Sequence, residues 1–258
     1  GAGSGVQVTA LANSYKDAGK KVTIITGNNK TNFDKIEGVK YHVVPFKSEE
    51  ENPEIIPGQC NFNYLMFTTH TESTANFWDA SLSQIREYEK AFRKAINEEI
   101  KEEKPDVIHA QHNWISTSIA TESNVPVVTT IHGTDLMGFE RSKEELKKVK
   151  ENLKTEKDPE KIKKLKEEEE KYNLYIEHSN RAAINAKKII VISEDQKNRF
   201  EKLFPLAAKK VELAENGYDT NKFYVDENIK KEDVIGNLES QNKNNQKIPL
   251  DYDKLVVF

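Results

Sequence analysis

The chain has 258 residues, enough for one large domain or two small ones. Its net charge of -4 gives no electrostatic case for nucleic acid, and no apolar run approaches the ~20 residues that a membrane-spanning helix needs. A single cysteine, Cys60, excludes an internal disulfide, fits a reducing compartment and reads as a small buried residue rather than a catalytic thiol.

Spacing sets the first helix. Val8, Leu11, Ala12 and Tyr15 fall at i, i+3, i+4 and i+7, one helical face, and Gly19 follows as a C-terminal cap. Ahead of it, Gly1-Ala2-Gly3-Ser4-Gly5 reads as a glycine-rich loop that a strand should precede. Residues 22–26 and 39–46 are apolar runs of strand length, and 49–63, with Pro53, Pro57 and Gly58, read as a loop. Residues 77–104 carry Trp78, Leu82, Ile85, Tyr88, Phe92 and Ile100 at helical spacing, and Pro105 ends that helix. Two short apolar runs follow, 106–111 and 125–131, separated by a short helix over 115–122. Each run ends abruptly in polar residues: Gln111-His112-Asn113 after the first, His132-Gly133-Thr134-Asp135 after the second. Short apolar runs bounded by turns read as buried parallel strands, and open α/β sheets bind ligands beyond the C-terminal ends of such strands. Two strand ends tipped with histidine therefore predict one shared pocket.

Residues 188–192 read as a further strand, Ser193 with Gln196 as a capping box for a helix through Leu203, and 211–214 as a short strand closed by Glu215-Asn216-Gly217-Tyr218-Asp219. Alternating strands and helices predict an α/β fold, a Rossmann-like doubly wound parallel sheet. Residues 140–186 interrupt the rhythm with dense charge. Ser142 with Glu145 reads as a capping box, Asp158-Pro159 as a helix start, and Glu144/Lys148 and Glu160/Lys164 pair four residues apart. The apolar stripes, Leu146, Val149, Leu153 and Ile162, Leu165, Tyr172, are narrow. This predicts an inserted charged helical hairpin, either a solvated arm or a lid or contact for a second copy of the chain. On that reading, deleting residues 143–178 leaves the sheet folded. Residues 224–253 read as a polar linker or loop, and 254–258 as the first strand of a further domain.

Five segments now stand in order: the glycine-rich loop and its helix, PDVIHAQHNW at 105–114, VVTTIHGTD at 127–135, IIVISED at 189–195 and ENGYD at 215–219. This order resembles the N-terminal half of a GT-B glycosyltransferase of the family 4 type, over most of residues 1–223 apart from the charged hairpin. The resemblance implies two Rossmann-like domains facing a cleft. The N-terminal one holds the acceptor; the other, with a Glu-x7-Glu motif, holds most of the nucleotide sugar. The 258 residues contain only the first, so the chain by itself is expected to be half an active site and inactive. The implied reaction is a retaining, metal-independent hexosyl transfer without a cofactor. The donor is a UDP-, GDP- or ADP-sugar and the acceptor a small molecule, glycan or lipid. The implied location is cytoplasmic or peripheral at the membrane.

Residue by residue, His132 matches the histidine that hydrogen-bonds the donor sugar near the reaction centre. An imidazole suits that contact because it can donate without carrying a full charge. Gly3, Ser4 and Gly5 match the loop beside the donor phosphates, where glycines admit close backbone approach and free helix-terminal amides favour anions. Gln111, His112, Trp114 and Asp135 are candidate acceptor or sugar contacts. Gln111 stands where the family often has histidine, and an amide cannot act as a base. Asp135 can bind sugar hydroxyls or cap the next turn. Ser193, Glu194, Asn216 and Gly217 match turns at the interdomain cleft, with a positive φ expected at Gly217. His109 reads as a hydrogen-bonded strand residue; Tyr64, Phe67 and Trp78 read as core, and Trp114 as a surface for sugar stacking. The His-x-x-His spacing on a strand is no metal signature. The alternatives are a nucleotide-sugar epimerase, a starch or glycogen synthase-like enzyme of the same plan, and a non-catalytic binding or scaffold domain working through the hairpin.

Overall fold

Parallel neighbours in a sheet need a crossover between them, and at each step of the four-stranded sheet a helix supplies it. The computed structural model describes residues 3–29, 33–47, 58–68, 75–218, 220, 224, 228, 240–241 and 247–248. Helix α1 spans Gly3–Asp17. It ends where Gly19 takes φ 74°, with the amides of Gly19 and Lys20 on the carbonyls of Lys16 and Tyr15, the paired bonds of a Schellman cap. Strands β1 (Thr23–Asn28) and β2 (Lys40–Pro45) pair in parallel, Thr23 opposite Lys40 through Asn28 opposite Pro45. Helix α2 (Leu82–Glu103) begins five residues later than its apolar spacing predicts. The cap decides this: Ser81 and Gln84 form a reciprocal capping box, which leaves Trp78 ahead of the helix.

Four more strands form one parallel sheet in the order β3 (Ile108–Gln111), β4 (Val127–Thr130), β5 (Lys188–Val191) and β6 (Val211–Leu213). Between them come α3 (Ile115–Ala120), the pair α4 (Thr134–Thr155) and α5 (Pro159–Asn185), and α6 (Glu194–Leu203) with a 3-10 turn. The architecture is α/β, Rossmann-like, as the sequence predicts. One apolar cluster joins both sheets to the inner faces of α2, α3 and α5, with Val44, Phe46, Ile85, Phe92, Ile115, Val127 and Tyr175 among its buried members. A second lies under α6, around Ile131, Leu136, Ile189, Val191 and Phe200. Cys60 is buried, its thiol pushed up to about 12 by burial and then by Glu87, so it is no nucleophile at neutral pH.

The charged helical hairpin is present as α4 and α5, rooted more deeply than the sequence pattern drew it. Ser142 caps nothing: it lies inside α4, and its hydroxyl donates to the Gly138 carbonyl. Helix α4 instead starts at Thr134, directly on the second polar strand end. Asp158 caps α5 as expected, accepting from the amides of Glu160 and Lys161. From Lys171 onward α5 belongs to the core. Tyr175 is fully buried and its hydroxyl donates to the Phe77 carbonyl at 2.6 Å. Lys171 donates to the carbonyls of Trp78 and Ala80 at 2.9 and 3.1 Å, and burial lowers its pKa. His178 meets Glu89 of α2 at 2.8 Å, and Arg181 donates to Ser118 of α3. Deletion of 143–178 would remove Val149, Tyr172, Tyr175 and His178 from the interior, so that expectation fails. The apolar stripe looked narrow because Lys and His count as polar in a pattern, yet each buries its body once its polar atom has a partner.

Residues Gly1–Asn216 make one compact unit and Gly217–Phe258 a second. In the second, β7 (Ser240–Gln241) and β8 (Lys247–Ile248) form a short antiparallel pair inside the segment expected to be a linker. The strand expected at 254–258, most of the loop at 49–63, Asp219, and Gly1 and Ala2 lie outside the described residues.

Replacing Tyr175 by Ala lowers the unfolding free energy by about 3–5 kcal/mol, the scale of removing a buried aromatic side chain. Lys163→Ala, on the exposed face of α5, changes it by less than about 0.5 kcal/mol. Chemical denaturation of the two variants checks this pair.

Candidate functional site

The register of β3 and β4 sets Gln111 opposite Thr130, so both strands stop at the same edge of the sheet. Their polar continuations then meet. The amide of His112 donates to the Thr130 carbonyl at 2.9 Å, and its own carbonyl accepts from the Thr117 hydroxyl at 2.5 Å. Held at both ends, His112 adopts φ 68°, a left-handed conformation that non-glycine residues take at a cost of order 1–3 kcal/mol. The kink turns its ring toward His132, with centroids 4.7 Å apart. The His132 Nε2 lies 2.7 Å from the Gln111 Oε1. Asp135, in the first turn of α4, ties the two ends together: one carboxylate oxygen accepts from the Asn113 amide at 2.8 Å, the other from the His132 amide at 3.3 Å. Between His132 and α4, Gly133 takes φ 88°, and a Cβ there would stand 3.3 Å from the Gln196 Nε2. Gln196 is held in turn by the Ile192 amide, and its own amide donates to Ser193, which caps α6.

Helix α1 runs against the strand direction. Tyr15 near its end contacts the His109 Nδ1 at 3.0 Å, and Gln7 near its start donates to Asn216, beyond β6, at 2.7 Å. Its N-terminus therefore faces the same C-terminal edge as His112 and His132. Gly3, Ser4 and Gly5 are the first turn of this helix rather than a loop before it. Their amides are among those a helix leaves without internal partners.

Burial lowers the pKa values of His109, His112 and His132. For His132 the value falls to about 4, first through burial and then through His112, with Asp135 acting in the opposite direction. The site is thus built from neutral imidazoles at physiological pH.

The expected residues divide. His112, His132 and Gln111 come together. His109 is a hydrogen-bonded strand residue, its Nε2 at 2.8 Å from the Thr130 hydroxyl. Trp114 is only 3% exposed and packs against Phe67, Phe77, Trp78 and Tyr175, so it is core and not a stacking surface. Asp135 is 1% exposed with both oxygens on backbone amides, so it is a brace and not a sugar contact. Ser193 is a helix cap and Glu194 is exposed in the first turn of α6. Asn216 is hydrogen-bonded to α1, while Gly217 lacks the expected positive φ. Sequence reasoning missed Gln196 behind Gly133, and it missed that Gln111 pairs with His132. Neither long-range contact has a local signature.

The sequence profile of Glycosyltransferase Family 4 matches residues 1–222. The chain belongs to glycosyltransferase family 4. None of the curated proteins searched matches it. The parallel α/β unit is accordingly the Rossmann-like N-terminal half of a GT-B fold, a glycosyltransferase domain that works on sugar and acceptor substrates. Among the described residues no helix is long and apolar enough to cross a membrane, and no group of three His, Cys, Asp or Glu is placed to hold a metal ion.

A depressed histidine pKa means that the unfolded chain takes up the proton first. The stability His132 contributes is complete above the ordinary value of 6.5 and is lost as pH falls from there toward about 4. In an NMR titration His132 stays neutral throughout pH 6–8 and protonates only near pH 4. Asp135→Ala destabilises the domain by about 2–4 kcal/mol, because two strand-end amides lose their acceptor, whereas Asp135→Asn, which keeps one acceptor, costs less. Thermal and denaturant unfolding of both variants tests the brace.

Proposed function

We propose that this domain serves a retaining transfer of a hexose from a UDP-, GDP- or ADP-sugar to a hydroxyl of a small molecule, glycan or lipid, without a metal ion. The observation that carries the reading is His132, a neutral imidazole at the C-terminal end of a parallel strand, with Nε2 engaged by Gln111 and Nδ1 without a partner among the described residues. A neutral ring can hydrogen-bond a sugar hydroxyl without setting a positive charge beside a reaction centre that itself becomes electron-poor. The first turn of α1, with Gly3, Ser4 and Gly5, supplies free amides suited to a diphosphate. His112, whose buried Nδ1 also lacks a partner, is the acceptor-side group. Glu194, exposed in the first turn of α6, and Asn216, hydrogen-bonded to Gln7 of α1, are assigned to the cleft side by the family resemblance. Trp114 and Asp135 support these residues from behind. A nucleotide-sugar donor fits a cytoplasmic site of action, at a membrane surface where the acceptor is a lipid. The apolar seam of the hairpin packs into the core, which leaves its charged flank as the surface for any second copy.

Titration of the ¹⁵N-labelled protein with UDP-, GDP- and ADP-sugars is expected to shift the signals of Gln111, His112 and His132 with at least one of them. Silence at all three residues with every donor would sink the reading. In a transfer assay of the full-length enzyme His132→Ala is expected to lower kcat/KM by about 10²-fold, the scale of losing one well-placed hydrogen bond to developing charge, whereas a loss below about threefold in a folded variant would make His132 structural. Excess chelator leaves the rate unchanged.

A further inference from the structure

The side chain opposite His132 is an amide, and amides are chemically lopsided. The oxygen of Gln111 only accepts hydrogen bonds and its nitrogen only donates. At 2.7 Å the oxygen is the atom that faces His132 Nε2, so Nε2 must carry the ring hydrogen. In a neutral imidazole the other nitrogen, Nδ1, then has a lone pair and no proton. A bare Nδ1 takes a hydrogen bond from a hydroxyl. It repels a phosphate or carboxylate oxygen, which also presents only lone pairs.

We infer that Gln111 is a positioning residue that locks His132 in its Nε2–H tautomer, so that Nδ1 accepts from a ligand hydroxyl and turns away anionic oxygens. The placement supports this. Gln111 is the last residue of β3, fixed opposite Thr130 by the strand register, and His132 follows Thr130 by two residues. The backbone of His132 is pinned separately by Asp135. Ring and amide are thus presented to each other by two strands rather than by flexible loops. The charged or titratable groups that face His132 are His112 in the turn after β3, His109 on β3 and Asp135 on α4. From α6 the uncharged Gln196 stands beside Gly133, and Arg199 acts electrostatically on Asp135. The consequence for sugar recognition rests on the proposed function, but the tautomer belongs to the ligand-free chain and is measured there.

The test is a long-range ¹H–¹⁵N spectrum of the histidine rings, with His132 assigned by its disappearance in His132→Gln. The wild-type protein is expected to show the Nε2–H form at neutral pH. Gln111→Leu, which removes the acceptor, is expected to give a mixture of tautomers. Gln111→Glu keeps an oxygen opposite Nε2, so it is expected to retain the Nε2–H form and to move protonation of His132 to higher pH. A melting curve confirms that each variant is folded. Two results would overturn the inference: an Nδ1–H ring in the wild type, which means the amide nitrogen faces the histidine, or an unchanged tautomer in Gln111→Leu. In a transfer assay Gln111→Leu is expected to lose about tenfold or more in kcat with little change in KM, as when an orienting partner is removed, and Gln111→Glu to restore part of it only above the pH at which His132 protonates, where the ring is neutral. If no nucleotide sugar binds, the proposed function fails while the tautomer result still decides the role of Gln111.

Discussion

One buried carboxylate holds the two halves of the site together. Asp135 accepts the Asn113 amide, at the end of β3, and the His132 amide, at the end of β4. Backbone amides that leave a sheet edge need acceptors, and neighbouring strands cannot supply them once the chains diverge. A carboxylate offers two oxygens, and from the first turn of α4 it also sits favourably with the helix dipole. Every ring in the pocket depends on this brace. Without it His112 and His132 would be side chains on two independent loops, with no reason to stay 4.7 Å apart.

The electrostatic character of the pocket follows from the same packing. The histidines stand close together and are partly removed from water, so protonation is penalised at both by burial and at His132 also by His112. Asp135 pulls in the opposite direction and does not prevail at His132, because burial is the larger effect and His112 adds to it. The outcome is a polar, uncharged surface of ring nitrogens and an amide at the edge of a parallel sheet. Such a surface suits hydroxyl-rich ligands, where orientation matters more than net charge. The residues divide by depth: Trp114 and Asp135 hold the shape from inside, while His112, His132 and Gln111 define what the edge presents.

The hairpin shows how one helix can serve two environments. The outer turns of α5 are charged and solvated. Its inner turns place Lys171, Tyr175 and His178 in the interior, each with a polar partner on α2 or the segment before it. Buried polar atoms with partners add specificity of seating to the apolar contacts around them. The register between α5 and the loop at Phe77–Ala80 is fixed by these bonds, and that loop packs Trp78 beside Trp114 directly beneath the pocket.

The sequence determined the fold class, most of the strands, the cap at Asp158 and the histidines at the two strand ends. Those features are written in short-range patterns: apolar runs of strand length, helical spacing, and caps within a few residues of the turns they close. Tertiary structure alone decided which polar residues face a ligand and which face the interior. Trp114 and Asp135 sit in the same motifs as His112 and His132, and nothing local distinguishes a residue that contacts substrate from one that supports it. The difference arises when Phe77 and Tyr175, 37 and 61 residues from Trp114 in the chain, close over one face of the turn and leave the other open. The pairing of Gln111 with His132 is likewise a product of strand register. Two residues 21 apart become partners only because β3 and β4 lie side by side.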